Sequence, residues 1–254
     1  TFPDTIPTRV AGAVPAGAAA AALISWSRRR RATMLGRAHP CLAWYEAALA
    51  SLLLALLAIL ATRLWPEQTV ALRLFHVHLN TLGFIGLTAV STLAVLLPTV
   101  IGRPDPEIGP RLRRDLPWAA AGTLLVALGA AWFGPAAWLG GGLWGIALAR
   151  LGTRWWQRDR AEILALHGAA PLLATALTGF AGSLAFGAAA AAGLPSVPTS
   201  AFVAGFLLPL VTGAVSQLLP VWLHPGVQTE WHGQLRRRLG RYAGLRAVLF
   251  VIAG

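Results

Sequence analysis

Apolar runs of about twenty residues, the length a helix needs to cross a hydrocarbon core of about 30 Å, recur along the chain. They lie near 10–27, 41–64, 72–100, 117–133, 135–151, 162–193 and 199–223, and an eighth begins near 243. Inside lipid a segment must satisfy its own backbone N–H and C=O groups, so such runs fold as helices. The pattern therefore predicts an all-α, polytopic transmembrane helix bundle of about 7–8 spans. Two runs carry features that weaken a span: Pro15 in the alanine-rich first, and Gly140, Gly141, Gly142 and Gly145 in the fifth. The glycines would instead let a neighbouring backbone approach closely. Pro209 and Pro220 predict kinks in the seventh run, with freed carbonyls available to Thr212 or Ser216. No repeat of fixed period is apparent. Residues 1–254 read as a single transmembrane helical domain, truncated at both ends because it starts on Thr1 and stops inside an apolar stretch.

Composition agrees with a membrane chain: 56% of residues are hydrophobic, 12% are charged, and the mean hydropathy is +0.64. The net charge of +12 would point to nucleic acid in a soluble protein, but here it comes from arginines placed between apolar runs. They cluster at Arg28–Arg31 and Arg37, at Arg103, Arg111, Arg113 and Arg114, at Arg150, Arg154, Arg158 and Arg160, and at Arg236–Arg238 and Arg241. Every second loop is basic. By the positive-inside rule this predicts cytoplasmic arginine-rich loops and an outside amino terminus. The partner expected from this pattern is the lipid bilayer, with no nucleic acid. Trp26, Trp44, Trp65, Trp118, Trp155, Trp156 and Trp222 fall near span ends, where indole rings anchor at headgroup depth. The single cysteine, Cys41, excludes an internal disulfide framework and reads as a small buried apolar residue.

Against this apolar background, Phe75-His76-Val77-His78-Leu79-Asn80 at the head of the third run carries the most chemistry. An unsatisfied polar group costs several kcal/mol in hydrocarbon, so these side chains imply a ligand, a metal or a polar partner. At 100° per residue His76 and His78 point about 200° apart, and so cannot chelate one ion from a regular helix. Asn80 shares the face of His76, and Gly83 lies one turn further along that stripe, where its missing side chain would leave clearance for a flat ligand. With the amino terminus outside, both histidines sit in the outer leaflet. The alternative is two histidines that merely bond neighbouring helices.

A second set of polar groups belongs to the opposite leaflet: Glu46 about two turns into the second span, His167 about two turns into the sixth, and Gln217 and His224 toward the end of the seventh. These predict a secondary polar site, either a proton route or separate interhelical hydrogen bonds. His39 and His232 are read as residues of basic loops.

The pattern His76-x-His78, Gly83-Phe84 and Pro98 resembles the NnrS family of haem-copper membrane proteins. The longer wording from His76 to Thr88, with Leu96-Leu97-Pro98-Thr99, resembles the membrane part that precedes a multicopper oxidase domain in some bacterial copper oxidases. The segment from Gly213 to Val221 is similar to that group's second recurrent segment. NnrS-type proteins carry Glu where this chain has Leu79. The resemblance implies a bacterial inner (cytoplasmic) membrane location and haem or copper held by His76 and His78, with Asn80 and Gly83 beside them. A haem would take a second ligand from a helix beyond this sequence or from another subunit, or keep an open position for a small gas.

Three function classes follow. The first is a haem- and/or copper-binding membrane protein, an oxidoreductase or a binding protein, for electron transfer or for binding or reduction of a diatomic such as NO or O2. Its partner would be a periplasmic electron donor or a larger membrane complex. The second is a structural or assembly subunit of a respiratory or photosynthetic membrane complex. The third is a metal-handling transporter.

Overall fold

The computed structural model describes residues 6–36 and 38–254, and among them every regular element is helical. In chain order the helices are α1 (Ile6–Thr33) and α2 (Leu42–Ala61), then α3 (Pro66–Val100), α4 (Ile108–Ala131) and α5 (Gly134–Ile163). They are followed by α6 (Ala170–Ala191), α7 (Pro198–Leu223), α8 (Glu230–Leu239) and α9 (Ala243–Ala253). Four are long and apolar enough to cross a membrane by length and composition: α2, α3, α6 and α7. Each of the remaining predicted runs is helical too, but without that combination of length and apolarity in the described residues.

One boundary differs from the sequence expectation in a way that matters. The sixth run forms its helix only from Ala170, because Gly168 adopts φ +95° and donates its N–H to Gly240, 2.9 Å away. A left-handed backbone cannot continue an α-helix, and Pro171 then suits the first turn of the next one. His167 thus lies in a turn ahead of α6 rather than two turns inside it.

The chain forms two compact units, one of residues 1–91 with 107–144 and the other of 92–106 with 145–254. In the first, α2 and α4 both pack against α3. Ala55, Ala58, Phe75, Leu79 and Ala127 form one buried cluster there. The indole of Trp44 donates to the Leu112 carbonyl at 2.9 Å, and that of Trp144 to Thr123 Oγ1 at 3.0 Å. Gly140 meets the backbone of Gly122 and Val126, as its role in close packing predicts, whereas Gly141, Gly142 and Gly145 face open space. In the second unit, α6 packs on α7 and α9 packs on α6. Gly179 is pressed against the Gly205 backbone, and Phe180 lies 4.8 Å from Phe206, centroid to centroid.

Two of the seven tryptophans read as interfacial anchors are core residues. Trp44 is 1% exposed and Trp155 3%, while Trp26, Trp65, Trp118, Trp156 and Trp222 are open to the surroundings. Trp44 went the other way because its N–H finds a backbone acceptor inside, which removes the reason for the ring to stay wet. Cys41 is fully buried and its thiol contacts the Ser91 carbonyl at 3.2 Å, in keeping with its expected structural role.

The two units also share a plan. In α3 the segment Leu79–Leu87 winds as a π-helix, with i→i+5 hydrogen bonds, and in α7 so does Ala201–Leu207. Such segments are rare and cluster at functional sites. Setting Leu79 against Ala201 without a gap places Gly83 on Gly205, Phe84 on Phe206, and Leu96-Leu97-Pro98 on Leu218-Leu219-Pro220. The preceding helices correspond as well: α2 meets Gly83 through Ser51, and α6 meets Gly205 through Gly179, both ten residues into their helices. A helix pair built around a wide turn and a close glycine contact thus occurs twice. The repeat escapes a search of the sequence because few identities carry it and the connecting segments differ in length.

Candidate functional site around His76 and His78

His76 and His78 occupy the last turn of α-helical winding in α3 before the wide segment starts at Leu79. The ring of His76 crosses to α2, where its Nδ1 lies 2.8 Å from the Ala55 carbonyl oxygen. The ring of His78 folds back on its own helix, with Nδ1 2.8 Å from the Leu74 carbonyl oxygen. A carbonyl only accepts, so each Nδ1 bears the proton and, in the neutral imidazole, each Nε2 carries the lone pair. This is how ligating imidazoles are oriented: one nitrogen anchored to a carbonyl, the other presented outward. It also satisfies part of each ring's hydrogen-bonding demand, so the two readings made from the sequence share this geometry.

Asn80 sits where helical spacing from His76 places it. Its Nδ2 donates to the His76 carbonyl at 2.9 Å and lies 3.3 Å from His76 Nε2. The amide is thus placed to donate to the Nε2 of His76, whereas the Nε2 of His78 has no hydrogen-bond partner among the described residues. Both histidine side chains are half-buried. The clearance expected beside Gly83 is filled by the protein itself. A Cβ there would meet Ser51 Cβ at 2.5 Å and Thr123 Cγ2 at 3.2 Å. The glycine therefore admits α2 and leaves no slot for a flat ligand on that stripe.

The secondary polar residues have separate partners. Glu46 accepts from Ser27 Oγ at 2.6 Å and from Arg31 at 3.3 Å. In the other unit His167 Nδ1 accepts the Tyr242 N–H at 3.1 Å, and the Gln217 carbonyl accepts from Arg236 at 3.4 Å. His224 stacks edge-on against Trp231, 4.4 Å between centroids, and its carbonyl accepts from His232 Nε2 at 2.9 Å. His232, read from sequence as a loop residue, is 3% exposed and closes a capping box with Thr229 at the start of α8. No group of three or more His, Cys, Asp or Glu side chains able to hold a metal ion occurs among the described residues.

Sequence reasoning passed over Asp159. It breaks the helical path of α5 (φ −129°, ψ 20°) and is 1% exposed. Arg103 and Arg158 come within 3.5 and 3.6 Å of Oδ1, yet neither carboxylate oxygen receives a hydrogen bond. Arg103 is drawn aside by Glu162, and Arg158 donates to the Arg103 carbonyl at 2.5 Å. Burial raises the Asp159 pKa above the ordinary carboxylate value, and the charges of Arg158 and Arg103 offset only part of that rise. A lone carboxylate inside Arg154-Trp155-Trp156-Gln157-Arg158-Asp159-Arg160 was the available signal. An acid with a raised folded pKa binds its proton more tightly when folded. Stability is then highest with the proton on and falls as pH rises from the unfolded pKa to the folded one. Asp159→Asn is expected to flatten that slope, seen as the difference in melting temperature between variant and wild type followed from pH 3 upward.

No protein-family model, curated protein or solved structure matches the chain. The described residues define its class by themselves: an all-α protein with four helices fit to span a bilayer.

Proposed function

We propose that this chain is an integral membrane protein of the bacterial inner membrane that binds haem, copper or both through His76 and His78. Its role would be electron transfer, or binding or reduction of a small diatomic such as NO or O2. The observation that carries the reading is the contrast between the two units. In the alignment that matches Gly83 with Gly205, the positions of His76, His78 and Asn80 are held in α7 by Pro198, Ser200 and Phe202. The same wide turn and glycine contact are built there without imidazoles, so that contact by itself does not call for them. Polar side chains that a membrane scaffold does not need are retained for a ligand.

The donor set fits single imidazole ligation. Each ring has its Nδ1 fixed on a carbonyl, the two Nε2 atoms belong to different sides of α3, and no group of three possible ligands occurs among the described residues, so a haem or copper held here would take a single imidazole from either side of α3 and its other ligands from elsewhere. When bound, the metal would supply one-electron chemistry. The protein's part is to hold His78 Nε2 open and to guard His76 Nε2 with the Asn80 amide. The topology proposed with this reading is seven to eight spans with the amino terminus outside and the arginine-rich loops in the cytoplasm. Both histidines are then in the outer leaflet, within reach of a periplasmic electron donor. The assignment is tested by an absorption spectrum and metal analysis of the purified protein. A Soret band or stoichiometric copper is expected, and a colourless, metal-free protein that co-purifies with larger subunits would favour an assembly role instead.

A further inference from the structure

The geometry points to a phosphate-binding cleft at the carboxyl end of α8, formed by Gln234, Arg237, Arg238 and Arg241, whose ligand is the headgroup phosphate of an anionic phospholipid. These four residues line one shallow cleft of about 320 Å³. Gln234, Arg237 and Arg238, spaced i, i+3 and i+4, share one face of α8, Arg241 follows in the turn after Leu239, and all four are exposed. Three guanidinium groups so arranged repel one another, and the negative end of the helix dipole relieves that only in part. Three other arginines of the same unit are matched: Arg103 with Glu162 and Asp159, Arg236 with Gln217 and Gln228, and Arg246 through one guanidinium nitrogen with the Leu239 carbonyl. Arg237 and Arg238 have no hydrogen bond or carboxylate partner among the described residues. From 231 to 254 there is no Asp or Glu at all, and Glu230 is held by the Gln234 amide at 3.2 Å.

The platform is fixed. The Thr229–His232 capping box starts α8, and His232 Nε2 ties it to the His224 carbonyl at the end of α7. Arg241 is steadied by the Tyr242 ring, 4.9 Å from its guanidinium carbon, and by the Tyr242 hydroxyl at 3.2 Å. An oxyanion with several acceptor oxygens matches fork-shaped donors that offer paired N–H groups. The lipid source is favoured by what surrounds the cleft. Trp231 and Tyr242 are exposed beside it, and α9, which follows directly, turns Leu245, Val248, Leu249 and Ile252 outward. Basic side chains and aromatic rings at headgroup level, followed by exposed apolar side chains, are what a segment presents on passing into a bilayer surface.

The full chain, delipidated in detergent, would be titrated with dioctanoyl phosphatidylglycerol, dioctanoyl phosphatidylcholine and inorganic phosphate, with melting temperature and tryptophan emission as readouts. Phosphatidylglycerol is expected to bind saturably and at least tenfold more tightly than phosphatidylcholine. Arg237→Gln/Arg238→Gln/Arg241→Gln should lose that preference, while Arg28→Gln/Arg29→Gln/Arg30→Gln keeps it. Arg238→Gln alone and the triple change to lysine guard against a folding defect, and each should weaken binding by severalfold. Inorganic phosphate competing at equal affinity would support the cleft but overturn the lipid as its source. Equal loss in both triple variants, or none in either, would overturn the cleft.

Discussion

Protein carrying His76→Ala together with His78→Ala will show no Soret band and no bound iron or copper, with its helical content unchanged. The single variants are expected to differ. His78 presents a free Nε2, so His78→Ala should remove the ligand of the more accessible side. His76 holds the Ala55 carbonyl as well as facing Asn80, so His76→Ala should lower thermal stability too, by about 1 kcal/mol for one lost hydrogen bond. Asn80→Ala bares the Nε2 of His76 and is expected to change metal affinity by about 10–100-fold, the usual scale for a group that orients a ligand. Absorption spectra with metal analysis check all four variants. A spectrum indifferent to both histidines would sink the proposed function.

The second large effect is expected at the glycine contacts. A Cβ on Gly179 would run into the carbonyl of Gly205, and backbone on two packed helices cannot step aside as a flexible side chain can. Gly179→Ala should therefore cost at least the 1–3 kcal/mol typical of overpacking, and Gly179→Val should abolish folded yield. Gly205→Ala is a control within the same contact. Its added carbon meets only Gly179 Cα, at 3.5 Å, and the change should be mild. In the first unit Gly83→Ala collides with Ser51, and Ser51→Gly should rescue it by recreating the Gly–Gly pairing of the second unit. Melting temperatures read by gel filtration of heated extracts would show the asymmetry. Equal tolerance at Gly179 and Gly205 would contradict the packing described.

Apolar run length revealed the helices well, because a bilayer solvent penalises interruptions and leaves a clean signal. It placed α2, α3 and α7 closely and failed at the start of α6, where Leu164, Ala165 and Leu166 extend the apolar run into a turn. Hydropathy reports what a residue dislikes, and takes no account of a backbone bent at Gly168. Of the candidate site, the His76–Asn80 face was legible from spacing, since only helical geometry is needed to bring them together. The partner helix was not. That α2 would fill the space beside Gly83, that Trp44 would turn inward to Leu112, and that Asp159 would be buried between two arginines all depend on contacts between segments distant in sequence.

The switch from four-residue to five-residue hydrogen bonding after His78 has one more consequence. Each residue in Leu79–Leu87 advances the chain around the axis by less than an ordinary helical step, so the stretch acts as a phase shifter within a single rod. The azimuth of the two imidazoles is thereby released from that of Leu96 and Pro98 further down α3. The direction in which His76 and His78 point is set apart from the face that Leu96 and Pro98 present.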